Sequence, residues 1–248
     1  MEHRRKSIST ILRLFALAAA FICAAAFAVP AAAENGGEIP ERDLYEFSIQ
    51  AMEEGRSLRV WGLMRLTYVN RSEDTLYSVV LRLHANDADA NCMGIGSVGA
   101  DGRSAAYMLS SDGGILNISL PSEIAPGEST RLFMRFDMTL PETGDRFGAN
   151  STGYMLGNAL PIAAMYENGA WRTDEYDELA ETSYGQAVDI QMALTVPKTV
   201  LAAFGGAWID EQDNGDGTKT LAMQLSGARE IAFAMRAEGE IRQTRAGD

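Results

Sequence analysis

The chain has 248 residues, 46% of them hydrophobic, with 21 Lys plus Arg against 34 Asp plus Glu and a formal charge of −13. That acidic excess disfavours nucleic acid and anionic lipid as partners, because each would meet like charge. Two cysteines and two histidines in all leave disulfide frameworks and histidine-based nucleophile sets almost nothing to draw on.

Residues 1–33 have the three parts of a secretory signal: basic Arg4, Arg5, Lys6 and Arg13, an apolar run from Leu14 to Val29, and small Ala31, Ala32 and Ala33. Cleavage is expected after Ala33, with Ala28 the alternative, and places the protein outside the cytoplasm. An uncleaved signal would leave it anchored to the membrane. Cys23 raises the question of lipid attachment, but Ile22 is a poor residue at that cleavage point. Removal of residues 1–33 leaves 17 basic and 33 acidic residues, a charge of −16. One cysteine then remains, Cys92, so stability must come from an apolar core rather than a disulfide. Cys92 lies in the glycine-bearing run Asn91 to Gly94 with no histidine near it in sequence, and reads as a packed spectator rather than a nucleophile.

After a short linker over 34–43, period-two alternation predicts strands. The first holds Tyr45, Phe47, Ile49 and Ala51 on one face; the second holds Leu58, Val60, Gly62, Met64, Leu66 and Tyr68, with Arg59, Arg65 and Thr67 turned away. The pattern returns at Leu132, Met134, Phe136, Met138 and Leu140, then at Val188 to Val196, at Leu221, Met223 and Leu225, and at Ile231, Phe233 and Met235. Turns are expected at Asn70 to Asp74, at Asp112-Gly113-Gly114, at Ala125 to Glu128, where Pro126-Gly127 suits a type II turn, and at Asp213 to Gly217. Many short strands with tight turns and no long helical stripe predict an all-β fold, an antiparallel β-sandwich over 44–238, followed by a polar tail over 239–248. The segment from Gly144 to Gly185 breaks the pattern. It carries Phe147, Tyr154, Tyr166, Trp171, Tyr176 and Tyr184 with the acidic run Asp174 to Glu181, and as a long loop on a rigid scaffold it is where binding is expected.

Other chemistry-bearing runs have plainer readings. Asp210 to Gly217 alternates oxygen donors with glycines, but a calcium loop begun at Asp210 needs a glutamate where Leu221 stands, so a solvated hairpin is expected. His84 falls in a strand-like apolar stretch and reads as a hydrogen-bonded structural histidine. Asn70, Asn117 and Asn150 begin glycosylation triplets that matter only in a eukaryotic secretory pathway.

Several runs in order resemble one family. They are Val60 to Asn70, with Tyr68-Val69-Asn70 before a turn; Val79 to Asn86; Ile124 to Ser129 leading to Leu140-Pro141; Leu156-Gly157-Asn158-Ala159-Leu160-Pro161-Ile162 with Trp171 behind it; Asp189 to Pro197, ending Thr195-Val196-Pro197; and Ala228 to Met235. Together they are similar to the amino-terminal domain of aminopeptidase N-type zinc metallopeptidases, in particular their divergent bacterial branch. The resemblance implies a saddle-like β-sandwich that, in the full enzymes, packs on the zinc domain and helps to wall the peptide cleft. The family's His-Glu-x-x-His zinc motif has no counterpart, since His84 is followed by Ala85 and Asn86. Its Gly-x-Met-Glu-Asn motif is absent too, and Ala51 to Glu54 and Met165 to Asn168 hold only fragments in the wrong order. No metal, no cofactor and no catalytic residue are therefore expected. The expected role is binding or accessory, with a peptide or a separate peptidase catalytic domain as partner. Tyr154, Asn158, Tyr166 and Trp171 are the candidate partner-binding residues.

Overall fold

The computed structural model describes residues 39–55, 57–89, 92–143, 146–174 and 185–237. The expected signal segment, the first half of the linker, the polar tail, Tyr176, Tyr184 and all but the first residue of the Asp174 to Glu181 run lie outside them.

In chain order the elements are β1 (Leu44–Glu54), β2 (Ser57–Val69), β3 (Leu76–Arg82), the single helix among the described residues, α1 (His84–Ala88), β4 (Met93–Ala100), β5 (Arg103–Ser104), β6 (Tyr107–Leu109), β7 (Ile115–Ile124) and β8 (Ser129–Thr139). The short β9 (Phe147–Asn150), β10 (Gly153–Leu156), β11 (Ile162–Ala163), β12 (Tyr166–Glu167) and β13 (Ala170–Trp171) follow. Then come β14 (Val188–Pro197), β15 (Leu201–Phe204), β16 (Ala207–Asp213), β17 (Thr218–Ala228) and β18 (Phe233–Arg236).

An eight-stranded sheet runs in the order β16-β17-β14-β1-β2-β8-β4-β5. The alternating apolar residues of β1, β2, β8 and β14 all turn to one buried face, as a half-buried strand requires. Two four-stranded sheets, β15-β18-β10-β9 and β11-β3-β7-β6, contribute the facing residues, among them Val79, Leu81, Leu116, Ile118, Phe147, Leu156, Phe233 and Met235. One continuous apolar core joins the layers, which makes the fold an all-β sandwich.

Every named strand pair is antiparallel except one: β1 runs parallel to β14, with Tyr45 opposite Ile190, Phe47 opposite Met192 and Ile49 opposite Leu194. Parallel neighbours need a long crossover, and most of the chain lies between these two. Gly62 sits at a close approach in β2, opposite Ile49 on one side and Phe136 on the other; a Cβ there would stand 2.4 Å from the Ser48 carbonyl oxygen.

The turn at Ala125 to Glu128 forms as read. The Glu128 N–H donates to the Ala125 carbonyl and Gly127 takes a φ of +81°. Asn70, fully buried, holds this turn to its own: its N–H donates to the Glu128 carbonyl and its carbonyl accepts from Gly127 N–H, both at 2.8 Å. Its Nδ2 donates to the carbonyls of Asp74 (2.7 Å) and Ile124 (3.0 Å), and its Oδ1 accepts from Ser72 N–H.

Two expectations are corrected. The strand through His84 ends at Arg82, and His84 opens α1 instead. The chain leaves the sheet there because Asn86 is pulled inward: its Nδ2 donates to the Met93 and Gly113 carbonyls and its Oδ1 accepts from Met93 N–H. The irregular Gly144 to Gly185 segment is not simply a loop over the scaffold, since β9 and β10 pair with each other and β10 pairs with β18 in the second layer.

Candidate functional site

The four residues singled out from the sequence occupy three places. Tyr166 and Trp171 face each other across the β12–β13 hairpin with ring centroids 5.2 Å apart, edge to face. Trp171 packs in turn on Tyr68 of β2 at 5.8 Å, so the hairpin is folded back onto the core and both rings are half-buried. The Tyr166 hydroxyl donates to Asp74 Oδ2 at 3.0 Å, and Arg172 bridges Glu167 and Asp174 along the hairpin's outer side.

Tyr154, on β10, lies elsewhere. Its hydroxyl donates to Glu53 Oε1 at 2.9 Å, and partial burial, then the Glu53 carboxylate, pushes the phenol up to about 12. Glu53 stands opposite Leu58 at the hairpin end of β2, whereas Asp74 follows that strand's other end. Eleven residues at about 3.4 Å each put the two tyrosine anchors roughly 35 Å apart. They do not form one patch.

Asn158 takes a left-handed φ of +52°, and its N–H donates to Glu230 Oε2 at 3.0 Å. It stands at the rim of a cleft lined also by Tyr45, Phe47, Leu160, Ile190, Ile231 and, as its one buried polar side chain, His84. The cleft measures about 470 Å³ with its open mouth included. Beside it the Arg229 guanidinium donates to the Gly185 carbonyl at 2.7 Å. The His84 Nδ1 lies 3.0 Å from Asp87 Oδ2, which also accepts from Arg82 Nη2 at 3.3 Å, and all three side chains are buried.

Sequence reasoning placed Asn158 among the site residues but missed its companions. They come from Tyr45, His84, Leu160, Ile190 and Ile231, brought together only by strand pairing and the layer contact, and no local motif announces them. Cys92 packs against the core, and burial, then the Asp89 charge, pushes its thiol up to about 12, where a nucleophilic thiolate is not formed at neutral pH. Among the described residues no three His, Cys, Asp or Glu side chains are gathered as a metal site requires.

No protein-family model and no curated protein sequence matches the chain. Solved structures do. A mutant of the M1 zinc metallopeptidase from Deinococcus radiodurans aligns with a TM-score of 0.55 at 15% identity, over 79% of this chain and 42% of that one. The M1 zinc metallopeptidase from the same organism gives 0.52 at 17% identity with the same coverage. A two-domain M1 zinc metallopeptidase mutant bound to L-tryptophan gives 0.51 at 15%, over 79% and 43%. The chain thus spans less than half the length of the proteins it matches, and its fold is that of the N-terminal portion of an M1 zinc metallopeptidase.

Proposed function

We propose that this chain is an exported, non-catalytic β-sandwich module with a binding or accessory role. The observation that carries the reading is the extent of the likeness. It takes in 79% of this chain but 42% of the matched metallopeptidase, so the shared part is a β-fold rather than a whole enzyme. The sequence supports it as well: the one histidine left after signal removal, His84, is buried against Asp87 and is not paired with a second histidine. A peptidase assay with aminoacyl p-nitroanilides on the purified chain is expected to show no turnover above buffer. Chelator-sensitive hydrolysis would overturn the reading. Export rests on the order of basic, apolar and small residues over 1–33. Mass spectrometry of the secreted protein is expected to give an amino terminus at Glu34, and an intact Met1 on cytoplasmic protein would refute it.

The same coverage favours a second reading, in which the chain is the front part of a zinc metallopeptidase whose catalytic domain is a separate chain. A His-Glu-x-x-His sequence encoded immediately downstream, together with co-purification of its product with this protein, would select it over the first.

A further inference from the structure

We infer that the outer face of β2 and β8 is a docking surface for a short acidic segment of a partner polypeptide, held by Arg65, Arg131 and Arg135 around the Phe133 ring. The inference rests on the reading of the module as one that binds, and its test is independent of peptidase turnover. The core takes the even-numbered apolar residues of both strands, Val60, Met64 and Leu66 of β2 and Leu132, Met134 and Phe136 of β8, so their odd-numbered neighbours are turned outward. Pairing decides which of these meet: Thr67 stands opposite Arg131, Arg65 opposite Phe133 and Leu63 opposite Arg135. Arg65 is therefore diagonal to both arginines of β8, at about 7–8 Å, and the three flank Phe133 on three sides. The ring itself is half-buried and lies over Gly99 of β4, where a Cβ would collide with it. Arg59 continues the patch along β2, its guanidinium carbon 5.9 Å from the centre of the Trp61 ring.

Four arginines gathered on a chain of formal charge −13 oppose the field of the rest of the molecule. All four are exposed, and among the described residues none of them forms an ion pair. The bordering acids leave them so: Glu46 lies opposite Arg65 on β1 and Asp137 two residues beyond Arg135, while the Asp101 carboxylate accepts from the Thr130 hydroxyl and the Arg131 N–H. Guanidinium groups in this state recognise carboxylates through paired N–H donors, and the aromatic floor adds apolar contact. The patch also limits the length of its occupant. Arg131 and Arg135, four residues apart on one strand, span roughly 14 Å, the reach of four or five residues of extended chain. A long polyanion would run off the patch onto the acidic remainder of the surface, whereas a short acidic segment stays within it.

Fluorescein-labelled hexaglutamate is the probe, titrated with the purified chain and followed by anisotropy at about 0.1 M salt, where exposed charges beyond roughly 10 Å are screened. Saturable binding is expected. Arg65→Gln combined with Arg135→Gln should weaken it at least about tenfold, since two charge-assisted contacts are lost. Lys198→Gln combined with Arg236→Gln removes the same charge elsewhere and should change it less than about twofold. All four of these side chains are exposed, so both double variants are expected to keep the thermal midpoint of the unaltered protein. No saturation with hexaglutamate, or an equal loss in the two double variants, would overturn the site. Tighter binding of a long heparin chain than of hexaglutamate would overturn the assignment to a peptide and mark a polysaccharide surface instead.

Discussion

The Tyr45 hydroxyl accepts a hydrogen bond from the Ala163 backbone N–H across the core, tying β1 of the large sheet to β11 of a smaller one. Tyr45 is 1% exposed, so no solvent replaces this bond if it is lost. Tyr45→Phe keeps the ring and strands a buried N–H, which is expected to cost about 1–3 kcal/mol. A lowered urea midpoint with an unchanged slope is the expected result; an unchanged midpoint would show that the layers are not joined here.

Asn70, directly after the end of β2, is a second such tie, where one side chain satisfies two carbonyls and the Ser72 N–H. Asn70→Asp keeps the shape but replaces both donors by an acceptor facing two carbonyl oxygens. We expect a loss of about 3 kcal/mol, larger than for Tyr45→Phe because the replacement also buries a charge. Equilibrium denaturation of the two variants side by side checks the order.

Gly62→Ala tests the close approach of β1 and β2. The added carbon would meet the Ser48 carbonyl, which belongs to a paired strand and cannot move alone. Destabilisation of more than about 1 kcal/mol is expected from the forced backbone shift. A neutral effect in thermal unfolding would mean that the sheet yields more easily than its pairing suggests.

Alkaline pH should weaken the fold through tyrosines that hold their protons in the native state. Tyr154 is raised from 10.0 to about 12, chiefly by burial and then by Glu53. Tyr45 and Tyr68 are also held up, by burial first and by Asp43 second. The unfolded chain releases these protons first, so stability is expected to fall as pH rises above about 10 and on through 12. Tyr154→Phe should make that fall shallower. Denaturation midpoints across this range, with absorbance at the phenolate band, give the answer.

The strands that were legible in the sequence are those with one buried face, such as β1, β2, β8 and β14, because burial on one side writes itself as alternation. The same pattern fits either strand direction, so it carried no sign that β1 would lie parallel to β14. β16 has no alternation to read, all seven of its residues being exposed, and β9 to β13 are too short to show a period. Of the candidate residues, Tyr166 and Trp171 lie together because a tight hairpin joins them. Tyr154 and Asn158 were linked to them only by sequence proximity, which a layered fold does not respect. The His84 cleft was hidden for the same reason, its walls coming from opposite ends of the chain.

Native mass spectrometry of the purified chain after incubation with zinc and buffer exchange tests the non-catalytic reading most directly. The expected spectrum shows the mass of the bare polypeptide, because His84 is committed to Asp87 and Cys92, half-buried against the core, holds its proton. One zinc retained per chain and removed by a chelator would contradict it.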